Sequence, residues 1–289
     1  MIRIGIYGSE NSHAMAFSEL INGEESRFPN LQVVAIGGEE SENSRKIADA
    51  FGATIVQSPA EMIGQIDAGM ITSRDGALHL KYARPLIEAG LPLFVDKPVT
   101  SDPKDAVTLI DLAKAKGVPL LGGSSVKLIP DVQALGALRA GAERVLGGSV
   151  WAPVSMDNPY GGFYFYSAHL VEMCLEIFGM DACCVDAGLR SDIVTAVLHY
   201  PDFSVTCQFL EKSYHYGAAL HIPGNTQLRA FSLDGCYELE VSRFARMLES
   251  GDMPVSYEAL IQSVFVVEAI KTAYETGVRQ PISGANERG

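Results

Sequence analysis

From Met1 to Gly122 the chain alternates strand-like apolar runs with helical periods, and few architectures accept that order. Residues 2–7, 31–36, 54–56, 68–72, 93–95 and 118–121 read as strands. Helices are expected over 14–21, 44–51, 58–63 and 77–89, and from Ser101 or Asp102 to Lys116. Asn11 or Ser12 is placed to cap the first helix, and Gly52, Gly90 and Gly117 stand where helices stop. Runs such as Leu93-Phe94-Val95 carry no polar face, which marks strands covered on both sides. Strands of that kind joined through helices make a parallel, doubly wound sheet, because the crossovers are right-handed. The expectation is an α/β fold whose N-terminal part, 1–122, is a Rossmann-type domain, followed by a second domain over 123–289.

In such a sheet ligands lie at the carboxyl ends of the strands. The fifth strand ends there with Asp96-Lys97-Pro98, and the proline biases Lys97 toward an extended exit. Lys97 is therefore a candidate functional lysine, the plainer reading being a salt-bridged loop residue. The first strand–helix turn is the usual phosphate cradle, where glycines let the backbone approach a diphosphate at a helix N-terminus. This turn, Gly8-Ser9-Glu10-Asn11-Ser12-His13, keeps its first glycine only. Glu10 and His13 stand where two more glycines are usual, and Glu10 is expected to bring like charge toward the phosphates. The ribose acid at the end of the second strand is displaced as well: that register holds Gly38, with Glu39 beside it. Glu39 can serve from one residue along, or belong to a solvated loop with Glu40 and Glu42. The acidic cluster favours NAD over NADP, while Arg45 and Arg74 leave that choice open.

The formal net charge of −13, with no basic stripe, argues against nucleic acid and anionic membrane surfaces. No apolar run approaches a membrane span, and the apolar start at Ile2 reads as a strand rather than a signal sequence. The five cysteines make no C-x-x-C pair, so reduced thiols in the cytoplasm are expected, with no metal site.

These motifs carry a resemblance. Phe94-Val95-Asp96-Lys97-Pro98 resembles the E-K-P signature of the Gfo/Idh/MocA family of sugar and cyclitol dehydrogenases. Ile71-Thr72-Ser73-Arg74 through His79 is similar to its T-P-x…H loop. Gly161-Gly162 through His169-Leu170-Val171-Glu172, then Ile177-Phe178-Gly179, is similar to its glycine pair, H-x-x-D and L-x-G helix. Tyr257-Glu258-Ala259-Leu260 through Glu268-Ala269-Ile270 and Gly277 resembles its closing helix. The resemblance implies a C-terminal α+β domain with an open, mostly antiparallel sheet. Apolar runs at 145–154, 183–189, 195–200, 203–210, 218–222, 227–233 and 237–241 agree with it. It also implies a last helix, 257–274, packing back on the first domain, and a homodimer or homotetramer.

The activity implied is hydride transfer between a nicotinamide cofactor and a secondary alcohol of a sugar, cyclitol or related polyol. Lys97 would exchange the hydroxyl proton, Asp96 would orient the lysine or tie down the strand end, and His169 would share the hydroxyl. Thr72, Ser73 and His79 would shape the nicotinamide side. The family's aspartate four residues before the histidine is replaced by Phe165, inside an aromatic run that offers Tyr164 or Tyr166 to a sugar. Lys127 is the titratable residue after the sixth strand and a further substrate candidate. Two other readings stay open: a binding or regulatory protein that lost hydride chemistry, and a redox-neutral lyase or isomerase using bound NAD.

Overall fold

Six strands form a parallel sheet in the order β3-β2-β1-β4-β5-β6, in a computed structural model that describes residues 1–39 and 41–282. Its elements are β1 (Ile2–Tyr7), α1 (Ser12–Asn22), β2 (Leu31–Gly37), α2 (Ser41–Phe51), β3 (Thr54–Ile55), β4 (Ala68–Ile71), α3 (His79–Glu88), β5 (Leu93–Asp96), α4 (Pro103–Lys116) and β6 (Leu120–Gly123). Every pairing is parallel, and β4, β5 and β6 are buried at each residue, as their unbroken apolar character requires. Local chemistry sets the helix ends. The Asp102 side chain accepts from Lys104 N, Pro103 opens α4, and Gly117 closes it at φ 64°. The helix expected over 58–63 is a single tight turn at Pro59–Met62. The strand order reverses between β1 and β4, and that switch point fixes where a ligand site can form.

The rest of the chain adds α5 (Pro130–Gly141), β7 (Gly147–Val154), α6 (Tyr164–Phe178), β8 (Cys184–Arg190), β9 (Ile193–His199), β10 (Ser204–Glu211), β11 (Tyr216–Ile222), β12 (Asn225–Phe231), α7 (Cys236–Ser250), α8 (Tyr257–Thr276) and β13 (Gln280–Pro281). Its sheet runs β12-β11-β7-β10-β9-β8-β13, antiparallel at each junction except β7 with β10. Along β9 and β10 the buried residues alternate, with Val194, Ala196, Leu198, Val205, Cys207 and Phe209 inside. α6 packs against β7 and β10, and α5 against β11 and β12. A Cβ at Gly148 would stand 2.3 Å from Phe178 Cζ, so glycine there allows α6 to lie close on β7.

The chain divides into two compact units, Met1–Gly123 with Tyr237–Leu260, and Ser124–Cys236 with Ile261–Gly289. The residues 237–241, read as a strand, form the start of α7. Tyr237, Leu239 and Val241 alternate like a strand, but Val241, Phe244 and Met247 recur at every third position and share a core with Phe17 and Phe94. The Phe94 and Phe244 rings lie 6.1 Å apart, edge to face. α8 is buried without a break from Leu260 to Val267, Gln262 and Ser263 included. Over that stretch, covered all round, no polar stripe is needed. Among the described residues no helix is long and apolar enough to cross a membrane, and no group of metal-ligating side chains occurs. Glu40 and residues 283–289, the end of the expected second domain, lie outside the described residues.

Because Phe244 is fully buried between α7 and the sheet, Phe244→Ala is expected to cost about 3–5 kcal/mol of stability in urea unfolding. A loss below about 1 kcal/mol would mean that α7 does not cover this core.

Candidate active site

The turn after β1 is locked from three sides. Gly8 holds φ 123°, and a Cβ on it would stand 2.1 Å from Ser73 N, so the turn lies against the loop after β4. The amides of Gly8 and Ser9 both donate to Gly37 O, at 2.9 and 3.1 Å, which ties the turn to the end of β2. The Thr72 hydroxyl donates to Gly8 O at 3.1 Å, and Ser9 Oγ meets Ser44 Oγ at 2.8 Å. Asn11 caps α1 by accepting from His13 N. No acidic residue stands in the first turn of α1, Ser12 there is exposed, and that helix end suits an anion.

Glu10 does not sit over that helix end. Its Oε1 accepts from Arg74 N at 3.4 Å, and its Oε2 stands 2.7 Å from where a Cβ on Gly38 would be. Burial pushes the Glu10 carboxyl up from its ordinary value, against the opposing pull of nearby backbone amides of Glu10, Arg74 and Glu39. Two buried oxygens here, Glu10 Oε2 and Ser73 Oγ, have no hydrogen-bond partner among the described residues. Glu39 is exposed, and its Oε1 accepts from the Tyr82 hydroxyl at 2.9 Å. A glycine-tight turn, an anion-suited helix end and buried oxygens without partners together fit a dinucleotide. The expectation that Glu10 opposes the phosphates does not match this placement, because its side chain turns to the end of β2.

Asp96 closes β5 with no exposed surface. It accepts from Lys97 N at 2.7 Å and from Asn11 Nδ2 at 3.0 Å. His13 Nδ1 lies 2.6 Å from Asp96 Oδ2. Burial alone would raise the Asp96 pKa, but His13 and Lys97 outweigh it and hold the carboxyl below the ordinary range. Asp96 thereby links the end of β5 to the turn after β1. His13 therefore faces Asp96 from inside α1. Lys97 is 5% exposed. Burial pulls its pKa below the ordinary lysine value, with Arg74 adding to this and Asp96 and Glu240 opposing. His79 spans two loops, Nε2 at 2.8 Å from Ser73 O and Nδ1 at 3.3 Å from Val99 O, so it shapes the strand ends.

In the second unit His169 lies on α6 with Nδ1 2.7 Å from Ser124 Oγ. Ser124 Oγ also accepts from Val126 N, and Ser124 N donates to Glu172 Oε2 at 2.9 Å. The same Glu172 oxygen takes Lys127 Nζ at 2.6 Å, and Ser263 Oγ reaches Oε1 at 3.4 Å. Lys127, expected to reach a substrate, is engaged here in a largely buried ion pair. Tyr164, also expected at the substrate, donates its hydroxyl to Glu268. Burial and that carboxylate push the Tyr164 pKa well up. The Phe165 and Tyr166 rings meet edge to face at 5.1 Å, and Tyr166 lies 5.2 Å from the His169 ring. Residues three apart share a helix face, which is why Tyr166 meets His169.

The structure thus gathers Gly8, Ser9, Glu10, Asn11, Ser12, His13, Gly38, Thr72, Ser73, His79, Asp96 and Lys97 at the strand ends of the first unit. Glu240, buried on α7 and acting on Lys97, was not singled out from the sequence, because its segment read as a strand. Glu172 was visible only as a motif position. Its role follows from three donors that come from distant parts of the chain.

Residues 2–124 match the oxidoreductase family with an NAD-binding Rossmann fold, Gfo/Idh/MocA. Inositol 2-dehydrogenase 3 of Saccharopolyspora erythraea is 26% identical over 125 residues, 42% of this chain and 35% of that protein. The chain thus spans about a third of that relative's length. Among solved structures, a myo-inositol dehydrogenase from Corynebacterium glutamicum superposes with a TM-score of 0.85 at 18% identity, covering 99% of this chain and 100% of that one. The WlbA dehydrogenase of Bordetella pertussis, solved with NADH and UDP-GlcNAcA, gives 0.82 at 17% identity, covering 98% and 99%. These likenesses establish the fold, a Rossmann-type domain followed by a domain built on a mixed sheet.

Removing the Asp96 carboxylate leaves His13 and Asn11 facing a buried void. Asp96→Ala is expected to cost about 3–5 kcal/mol in denaturant unfolding at neutral pH. Since the folded-state pKa of Asp96 is depressed, its contribution is complete above the ordinary aspartate range and is lost as pH falls through the lower value. An Asp96→Ala protein that matches the parent in stability at neutral pH would rule out this anchoring role.

Proposed function

We propose that this chain, whose residues 2–124 match the Gfo/Idh/MocA oxidoreductases, transfers hydride between a nicotinamide cofactor and a secondary alcohol of a sugar, cyclitol or related polyol. The observation that carries the proposal is Lys97, a buried amine at the carboxyl end of β5 whose charged form burial disfavours. Gly8 and Ser9, tied to Gly37, would shape the turn, Ser12 at the start of α1 would meet the diphosphate, and Ser73 would meet the nicotinamide half. When bound, the cofactor supplies or takes the hydride. Hydride leaves a carbinol carbon only if the hydroxyl proton leaves too, and neutral Lys97 Nζ would take that proton; in reduction the ammonium returns it. Arg74 and Glu240 bias the charge of the lysine in opposite senses. His169, held by Ser124, is the second unit's candidate for substrate contact, and Tyr166 with Phe165 offers a sugar an apolar face. NAD is proposed over NADP because Glu10 and Glu39 put carboxylates near the end of β2. A cytoplasmic homodimer or homotetramer completes the proposal, on the family resemblance and the thiol content.

A binding protein without chemistry is the competing reading, and Phe165 in place of an acidic residue favours it. Lys97→Met separates the two. If Lys97 moves the proton, turnover with NAD and a polyol such as myo-inositol falls about 10²–10⁴-fold, while NAD affinity by calorimetry stays almost unchanged. A rate per folded molecule equal to the parent's would defeat the assignment.

The pH profile gives a second check. In the oxidative direction Lys97 must be neutral, so the rate should rise with pH and level off below the ordinary lysine value of 10.5. That limb should vanish in Lys97→Met. A limb kept by the variant would assign the titration to another group.

A further inference from the structure

In doubly wound dinucleotide folds, a carboxylate at the end of the second strand receives the hydroxyls of the adenosine ribose. Here that strand ends Gly37-Gly38, and the next residue, Glu39, is exposed with its Oε1 on the Tyr82 hydroxyl at 2.9 Å. The end of β2 therefore presents no acid of its own at that register. The missing side chain is not replaced by open space. A Cβ on Gly38 would stand 2.5 Å from Ser9 N, 2.6 Å from Ser9 Oγ and 2.7 Å from Glu10 Oε2. Only glycine fits at 38, because the β1–α1 turn fills the position and does so with a carboxylate.

That carboxylate is built in rather than draped on the surface. Glu10 is 7% exposed, and Arg74 N fixes its Oε1. Its Oε2 is buried with no hydrogen-bond partner among the described residues. A buried carboxylate oxygen lacking a donor is costly, and a ligand hydroxyl would satisfy it. The charged groups facing it are Glu39 and the loop carrying Arg74.

Resting on the cofactor reading above, we propose that Glu10 is the ribose-binding carboxylate of this protein, supplied by the β1–α1 turn in place of the end of β2. The glycine ordinarily found in the turn and the acid ordinarily found on the strand have exchanged sides. Glu10 accepts from the adenosine ribose hydroxyls, and its charge disfavours a 2′-phosphate, which makes it the residue that selects NAD.

The test is calorimetric and needs no turnover. The parent protein and Glu10→Gln are titrated with NAD, 2′-deoxy-NAD and NADP. The parent should bind NAD best and lose about ten- to hundredfold with 2′-deoxy-NAD, the usual worth of a hydrogen bond to a charged group. Glu10→Gln should lose a similar factor for NAD, discriminate less between NAD and its 2′-deoxy form, and narrow the gap to NADP. The proposal is overturned if the parent binds NAD and 2′-deoxy-NAD equally, or prefers NADP. It is overturned too if Glu10→Gln keeps the parent's affinities. A parent protein that binds no nicotinamide dinucleotide removes the cofactor reading and this inference together, whereas NAD binding without these differences removes the inference alone. Should Glu10→Gln fold poorly, the comparison of NAD with 2′-deoxy-NAD on the parent decides by itself.

Discussion

A carboxylate with no exposed surface must be answered by donors and positive charge, and the first unit is assembled around one. Asp96 takes the backbone amide of Lys97, the side-chain amide of Asn11 and the close approach of the His13 ring. Two of those partners lie in the turn and helix after β1, and the third is the residue that follows Asp96 on its own strand. One buried group therefore fixes the end of β5, the start of α1 and the exit path of Lys97 together. A histidine stands where a close-packing glycine is usual, and its ring lies against Asp96.

The loops at the switch point interlock sterically as well. Gly8 has no room for a Cβ because Ser73 N is in the way, and Gly38 has none because Ser9 and Glu10 are. Where a dinucleotide fold usually relaxes the turn with successive glycines, this chain relaxes the facing strand end. The turn can then carry Glu10, and its carboxylate points along the sheet edge rather than at the helix. Lys97 lives in the same crowded neighbourhood. Its proton affinity is set by a balance in which burial wins over the carboxylates of Asp96 and Glu240.

The second unit repeats the device with different residues. Glu172 on α6 gathers Ser124 N, Lys127 Nζ and Ser263 Oγ, and Ser124 in turn holds the His169 ring. A histidine one helical turn from that carboxylate is thereby positioned through a serine rather than through the acid directly. The lysine that looked free to meet a substrate is consumed in neutralising Glu172.

Short-range physics made much of this legible in the sequence. Unbroken apolar strands, caps such as Asn11 and Asp102 and helix stops such as Gly117 are local signals, so the alternation that gives a parallel sheet could be read directly. The lysine at the end of β5 was visible for the same reason, because strand, charge and proline are contiguous. The direction in which a side chain points was not legible. Whether Glu10 faces a phosphate or the end of β2 depends on the closeness of Gly38, a neighbour made only by pairing β1 with β2. The pairing of Lys127 with Glu172 likewise joins residues far apart in the chain. Residues 237–241 read as a strand because alternation is a two-residue pattern, and only the core shared with Phe17 and Phe94 decides for the three-residue period of α7. The sequence by itself determined which elements form and which chemistry they carry. Tertiary structure decided which carboxylate meets which donor, because burial and steric exclusion act between residues the chain does not place side by side.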